Sequence, residues 1–459
     1  MQIKNPATGA VIEEVAEDSA LDVARKLERA RRAQPAWAST PLSERVAIID
    51  RFRESVARER DQLALILTRE VGKPISQATN ELNALTGRLE FFAGASAGVL
   101  EGELVLQEAD AGRIRLQELI SHEPLGVIAN ISAWNYPWFV GSNVFVPALL
   151  TGNAVLYKPS EHATLTGLAI ARLLHGAGVP EDVFITLVGG PSTGASLLEQ
   201  PVDGVFFTGS HGTGRKIALA AAPRFIRVGL ELGGKDPTYV CDDVDLRAAA
   251  ESLADGAMYN SGQSCCSVER IYVHRKVHDE FVELFAQTVQ GFALGDPEEP
   301  ATYIGPLARS EQLQVLELQV DDALRKGARL LCGGHRVSRP GNYFEPTVLA
   351  GARQDMLVMR EESFGPIIGI AAVEDDAQAV SAMNDTDYGL TAGVYTRDRQ
   401  RAERILKQVN AGSVYWNCCD RVSPRLPWTG RKSSGMGSTL SHYGIRAFLQ
   451  PKAWHLRTM

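Results

Sequence analysis

Short apolar runs at residues 127–131, 154–157, 183–188, 205–207 and 225–230 alternate with helical stretches, and this alternation constrains the fold most. Strands apolar on both sides and separated by helices build a parallel sheet covered on both faces, not a half-solvated antiparallel one. Such a doubly wound sheet holds nucleotides outside the carboxyl ends of its strands, so a cofactor domain is expected. After Gly234 the alternation resumes at residues 270–273, 328–331, 367–372, 390–395 and 413–416, which reads as a second α/β domain. A chain of 459 residues suits two or three domains, and Gly233-Gly234 marks the break between these two. Upstream, Val46, Ile49, Phe52, Val56, Leu63, Ile66 and Leu67 recur at helical spacing within residues 41–70, with Thr40 as the expected cap and Pro41 in the first turn. Residues 112–121 alternate in polarity and read as a strand outside the main sheet, suited to pairing with another subunit.

Composition removes several classes of function. The 47 basic and 55 acidic residues leave a formal charge of −8, which gives no electrostatic footprint for nucleic acid. No run approaches the roughly 18 apolar residues of a membrane span, and residues 1–6 lack the apolar core of a signal peptide. The six cysteines include two adjacent pairs, Cys265-Cys266 and Cys418-Cys419, but no C-x-x-C, so neither a metal site nor a thioredoxin-like motif is expected. Free thiols fit a reducing compartment, and a cytoplasmic location is expected.

The chemistry concentrates in two segments. Asn260-Ser261-Gly262-Gln263-Ser264-Cys265 offers a tight turn that presents a thiol, and Leu230-Glu231-Leu232-Gly233-Gly234-Lys235 supplies a carboxylate upstream of it. A thiol that attacks a carbonyl forms a thioester, and a separate carboxylate can activate the water that releases it. Phe207-Thr208-Gly209-Ser210-His211-Gly212-Thr213-Gly214 leads from a strand into a helix. It reads equally as an ordinary turn or as a phosphate cradle at a helix N-terminus, and the usual G-x-G-x-x-G is absent. Lys158-Pro159-Ser160-Glu161 reads as a solvated loop or as a lysine and an acid that hold ribose hydroxyls. In Ala133-Trp134-Asn135-Tyr136-Pro137-Trp138 the rings read as core, while Asn135, at the end of a strand, is placed to donate to a developing oxyanion.

Together these segments resemble the NAD(P)-dependent aldehyde dehydrogenase superfamily nearly from end to end. The resemblance includes the Ile3-Lys4-Asn5-Pro6-Ala7-Thr8-Gly9 opening, Glu361-Glu362-Ser363-Phe364-Gly365-Pro366 and Ser434-Gly435. It implies two doubly wound α/β domains plus a small β extension used in homodimers or homotetramers. Residues 1–109 and 123–232 would form the cofactor domain, 233–435 the catalytic domain, and 110–122 with 436–459 the oligomerisation extension. It implies Cys265 as nucleophile, Glu231 as general base, and Asn135 with the Cys265 backbone N–H as the oxyanion site. For the cofactor it implies Lys158 and Glu161 at the adenosine ribose, Gly209 and Ser210 at the pyrophosphate, Trp134 on the adenosine side, and Glu362 and Phe364 at the nicotinamide ribose and ring. The acid at Glu161 would repel a 2′-phosphate, so NAD is preferred, with NADP the alternative. Glu231 separates this chain from coenzyme A-acylating relatives and implies a free carboxylic acid as product.

Two departures from the family stand out. Where relatives carry Ser-Gly-x-Gly-Arg-Glu, this chain reads Ser434-Gly435-Met436-Gly437-Ser438-Thr439, so the acid that often serves a proton path behind the base is a threonine. The expected substrate funnel comprises Tyr136, Phe139, Val140, Asn143, Ser264, Cys266, Asp420, Arg421 and Trp428. Tyr136 and Trp428 suit an ammonium-bearing aldehyde through their ring faces, whereas Arg421 suits a carboxylate-bearing semialdehyde. The two other readings of the same residues are a catalytically idle NAD-binding scaffold and a thiol esterase.

Overall fold

The computed structural model describes residues 1–110 and 112–458. Its first sheet has six strands in the order Gly435–Met436, Arg227–Glu231, Gly204–Thr208, Val127–Ser132, Ala154–Pro159, Phe184–Thr186. All neighbours are parallel except Gly435–Met436, which runs antiparallel to Arg227–Glu231. Val127–Ser132 and Ala154–Pro159 are buried along their whole length, as strands covered on both faces must be. Helices Ala20–Ser39 and Pro137–Leu150 pack against this central pair. The second sheet has seven strands in the order Arg329–Cys332, Thr347–Ala350, Ile367–Val373, Val268–His274, Asp236–Val240, Thr391–Tyr395, Ser413–Trp416, parallel except for the antiparallel edge strand Arg329–Cys332.

Several details differ from the sequence reading. The helix over the first apolar stripe spans Leu42–Val71, but Pro41 is its N-cap, and Thr40 closes the preceding helix Ala20–Ser39 by donating its backbone N–H to the Trp37 carbonyl. That earlier helix carries its own start signal, a reciprocal Ser19/Asp22 capping box. The run at 225–230 becomes the strand Arg227–Glu231, because Phe225 is left-handed (φ 54°), 96% exposed and ends a short 3₁₀ turn. The run at 183–188 contributes only Phe184–Thr186.

A third, antiparallel sheet joins Leu449–Arg457, Arg113–Pro124 and Glu103–Asp110. Residues 103–109 of strand Glu103–Asp110, assigned above to the cofactor domain, thus pair with a strand of the expected extension. Conversely, Gly435–Met436 closes the edge of the first sheet, and the short helix Ser441–Arg446 packs on Ile75–Leu100 and Pro137–Leu150. The reason is hydrophobic: Leu440, Ile445 and Phe448 are fully buried and hold residues 440–448 in the first core, while Leu449–Arg457 is exposed along all but its first residue. Ala111 and Met459, which fall within the two stretches expected to form the extension, lie outside the described residues.

Candidate active site

The expected cofactor residues gather at one end of the first sheet because its strands run parallel. Trp134 follows Val127–Ser132, Lys158 and Glu161 end and follow Ala154–Pro159, Ser210 follows Gly204–Thr208, and Glu231 ends Arg227–Glu231. Lys158 is 4% exposed, donates to the Pro159 carbonyl at 3.1 Å and lies 3.9 Å from Glu161. Burial pushes the Glu161 carboxyl up, but its own backbone N–H, Lys158, His162 and Ser160 outweigh this and leave it below the ordinary value. A largely uncommitted ammonium beside an ionised carboxylate offers both donors and acceptors, which fits a ribose diol. Ser210 is the N-cap of helix His211–Ala221; its hydroxyl accepts from the Thr213 N–H at 3.4 Å and donates to the Thr213 hydroxyl at 3.1 Å. The first turn of that helix is exposed, so the His211 and Gly212 N–H groups are open to a phosphate.

The second sheet brings its amino-terminal ends to the same place. Strand Val268–His274 is preceded by the Cys265 loop, and Ile367–Val373 by residues 361–366. In the latter segment Phe364 is left-handed (φ 46°), and the Ser363 and Phe364 N–H groups both donate to the Glu269 carboxylate. Glu269 also pairs with Lys235, whose ammonium is wholly buried and donates in addition to the Ser363 hydroxyl at 2.9 Å. Removing either partner of such a buried pair typically costs about 3–5 kcal/mol, because the other charge is left uncompensated. This network sets the neighbouring Glu362 and Phe364. The Glu362 carboxylate accepts from the Gly234 N–H at 3.1 Å, and burial together with repulsion from Glu269 pushes it up to about 8. Trp134 packs edge-on against Phe364, with ring centroids 5.5 Å apart, so the residue expected on the adenosine side also borders the nicotinamide-side ring.

The loop that carries Cys265 is built on unusual backbone. Asn260, Ser261 and Gly262 are left-handed in succession (φ 53°, 55° and 70°). Side-chain bonds hold them there: Asn260 N–H donates to Gln77 at 2.8 Å, and the Ser261 hydroxyl to the Gly305 carbonyl at 3.0 Å. Gly262 is required twice over, since a Cβ there would meet the Gly365 carbonyl oxygen at 2.2 Å. A Cβ on Gly234 would lie 2.8 Å from the Cys265 carbonyl oxygen, so the segment that follows Glu231 packs directly on the nucleophile's backbone. Asn135 is buried; its amide donates to the Gln263 carbonyl at 3.2 Å, and its own carbonyl accepts from Asn260 at 3.2 Å. One amide hydrogen of Asn135 remains uncommitted, and among the described residues no hydrogen bond engages the Cys265 N–H.

Glu231 is buried, with one oxygen accepting from the Thr439 hydroxyl at 3.2 Å and the other without a partner. Burial pushes its carboxyl up to about 8 against the opposing pull of the Thr439 hydroxyl and backbone. The threonine noted above as a departure thus touches the candidate base itself. Thr439 exchanges two backbone hydrogen bonds with Trp428, at 2.8 and 2.9 Å, which ties the base to the substrate wall.

A cavity of about 540 Å³ opens beside Cys265 and is lined by Tyr136, Phe139, Arg421 and Trp428 among others. All nine residues expected to form the substrate funnel therefore line one cavity with Cys265. Glu231 and Asn135 do not line it. Cys266 does, and its thiol donates to Asp420 at 3.0 Å; the bond with Cys265, burial and Asp420 keep it protonated, well above a thiol's usual value. Asp420 itself is pushed up to about 6 by burial. The sequence reading missed Lys73, Glu81 and Arg88, which reach this region from residues 73–92. Their signal was available: Glu81 and Arg88 occupy the same helical stripe as the buried Ala78, Leu82, Leu85, Leu89 and Phe92, where charges are out of place.

Comparison with known proteins gives a consistent result. The model of the aldehyde dehydrogenase family matches residues 1–454. A betaine aldehyde dehydrogenase of Sinorhizobium fredii (strain NBRC 101917 / NGR234) is 36% identical over 449 residues, which span 95% of this chain and 91% of that one. Among solved structures, an NAD-dependent aldehyde dehydrogenase from Sinorhizobium meliloti superposes with a TM-score of 0.95 at 35% identity, over 99% of this chain and 91% of that chain. An NADP dependent enzyme of E. coli gives the same TM-score at 33% identity, over 100% and 94%.

Proposed function

Since the chain belongs to the aldehyde dehydrogenase family and is an NAD(P)-dependent enzyme of that class, we propose that it oxidises its aldehyde through a covalent thioester on Cys265 that water activated by Glu231 hydrolyses to a free acid. The observation that carries this reading is the joining of three groups through one loop. Among the described residues no hydrogen bond engages the Cys265 N–H, Asn135 is bonded to Gln263 two residues before it, and Gly234, just past Glu231, packs on the Cys265 carbonyl.

In this mechanism the Cys265 sulfur adds to the aldehyde carbon, and the oxyanion accepts hydrogen bonds from the Asn135 amide and the Cys265 N–H. Lys158, Glu161, Ser210, Glu362 and Phe364 would hold the dinucleotide, whose nicotinamide supplies the hydride acceptor. Collapse of the oxyanion leaves an acyl group on Cys265. Glu231 then removes a proton from water as the water attacks that acyl carbon, and the thiolate leaves. The test is formation of reduced nicotinamide from NAD or NADP across aliphatic, aromatic, ω-ammonium and ω-carboxy aldehydes, with product analysis for the free acid without added thiol.

Two expected results belong to this reading. Glu231 must ionise to act as a base, and its carboxyl titrates at about 8. Hydrolysis-limited kcat therefore rises as pH increases through about 8 and is low at pH 6.5, where the carboxyl is protonated. Thr439→Val removes a hydrogen bond that favours the ionised form, so the rise moves to higher pH in a kcat–pH profile. An unmoved profile would detach Thr439 from the base. The second concerns the cofactor: wild-type kcat/KM favours NAD over NADP, and Glu161→Gln reduces that preference by about tenfold or more as the repelling charge disappears. Equal discrimination in the variant would remove Glu161 from the ribose site.

A further inference from the structure

The walls of the cavity beside Cys265 already carry their own cations. The Lys73 ammonium sits 3.7 Å from the centroid of the Tyr136 ring, and the Arg88 guanidinium carbon 4.1 Å from that of Phe139. The two rings lie parallel, with centroids 6.1 Å apart. Tyr136, one of the two rings expected to attract an ammonium-bearing aldehyde, and the neighbouring Phe139 therefore each have a face covered by a positive charge. Lys73 is neutralised, because Glu81 pairs with it. Glu81 is then fully committed, since its other oxygen accepts from the Trp138 N–H at 2.9 Å and the Phe139 N–H at 3.4 Å.

Arg88 differs. It lines the cavity and is 4% exposed, yet its one side-chain partner is the neutral Asn143 amide, whose oxygen accepts from Nη1 at 2.7 Å. Its Nε is buried without a partner, and among the described residues no hydrogen bond engages Nη2 and no carboxylate forms an ion pair with the group. Burial pulls its pKa down to about 10 against the weaker opposing pull of Glu81, still far above neutrality, so the charge persists. A buried cation is costly unless paired. The two other acids of the cavity do not supply the pair: Asp420 accepts from the Cys266 thiol, and Asp255 from the Tyr303 hydroxyl. At the mouth Arg421 and Arg425 add two exposed positive charges.

We propose that Arg88 determines the specificity of this cavity and that the aldehyde it selects carries a carboxylate at the end remote from the carbonyl. The carboxylate supplies the anion that the fold omits and accepts from the free guanidinium donors, a strong charge-assisted pairing. Asn143 orients the guanidinium without neutralising it, and the unpaired Arg88 charge repels an ammonium tail. The proposal rests on the aldehyde-oxidising activity argued above and adds the substrate class.

The experiment compares 4-oxobutanoate, butanal and 4-trimethylammoniobutanal as substrates of the wild-type enzyme and of Arg88→Met, with NAD. Wild-type kcat/KM is expected to favour 4-oxobutanoate over butanal by about tenfold or more, with the ammonium aldehyde poorest. In Arg88→Met the 4-oxobutanoate/butanal ratio falls towards one; being a ratio, it is insensitive to the fraction of folded variant. If the variant does not fold, wild-type inhibition decides: glutarate should compete with butanal, and neutral glutaramide should not. A wild-type preference for the ammonium aldehyde, an unchanged ratio in Arg88→Met, or equal inhibition by glutarate and glutaramide overturns the proposal. Failure to oxidise any of the wider set of aldehydes overturns the activity itself, an outcome distinct from oxidation without carboxylate preference.

Discussion

Cys265→Ala should abolish formation of reduced nicotinamide with every aldehyde, a loss of about 10⁴-fold or more, because without the sulfur no covalent adduct exists from which hydride can leave. Cofactor binding should persist, since Lys158, Glu161 and Ser210 stand on the other sheet and do not depend on the thiol. Fluorescence titration with NAD alongside the activity assay separates the two. The neighbouring thiol is the informative control. Cys266 is held protonated against Asp420 and Cys265, so Cys266→Ala should retain turnover within about tenfold, by the scale of a single lost hydrogen bond. If the pair behaved in the opposite way, with Cys266 essential and Cys265 dispensable, the assignment of the nucleophile would be wrong.

Glu231→Gln should separate the two halves of the reaction. Acylation does not need the base, so rapid mixing should still give a burst of about one reduced nicotinamide per active site. Hydrolysis does need it, and general-base losses of about 10²–10⁴-fold set the expected fall in steady-state kcat. Glutamine keeps the shape and can still accept from the Thr439 hydroxyl at its carbonyl oxygen, so the result reads the lost proton acceptor more than lost packing. Mass spectrometry of the enzyme trapped after the burst should find the acyl group on Cys265. Steady-state turnover equal to wild type would show that another group activates water.

The parallel core of the first sheet was legible in the sequence because fully buried strands leave unbroken apolar runs, as at residues 127–131 and 154–157. The chain concealed strands of other composition. Asp236–Val240 lies near the middle of the second sheet yet opens with Asp and Pro, residues that read as a turn. Pro237 is tolerated near the strand's start, and Asp236 because Thr391 donates to it from both its N–H and its hydroxyl. Thr347–Ala350, directly after Pro346, was lost in the same way. The partner of Asp236 is thus distant in sequence, which local pattern does not reveal.

The site divides along a similar line. Cys265, Glu231 and the turn residues around them carry chemistry unusual enough to be noticed in a linear reading. Lys73, between two helices, and Glu81 and Arg88, on the second of them, are ordinary charged residues until the fold buries them beside Tyr136 and Phe139. Their importance lies in what they lack or share as partners, and that depends on three-dimensional neighbours. Thr439 was visible as a departure from the family, but its direct bond to Glu231 was not.

The paired hydrogen bonds between Trp428 and Thr439 have a kinetic meaning. In the proposed mechanism Trp428 faces the incoming aldehyde and Thr439 steadies the group that sets the product free, and two backbone hydrogen bonds join them. On the proposed mechanism, an acyl group that pressed the wall outward would draw the hydroxyl away from the carboxyl behind it, and selectivity would then be exercised twice, at admission and again at discharge.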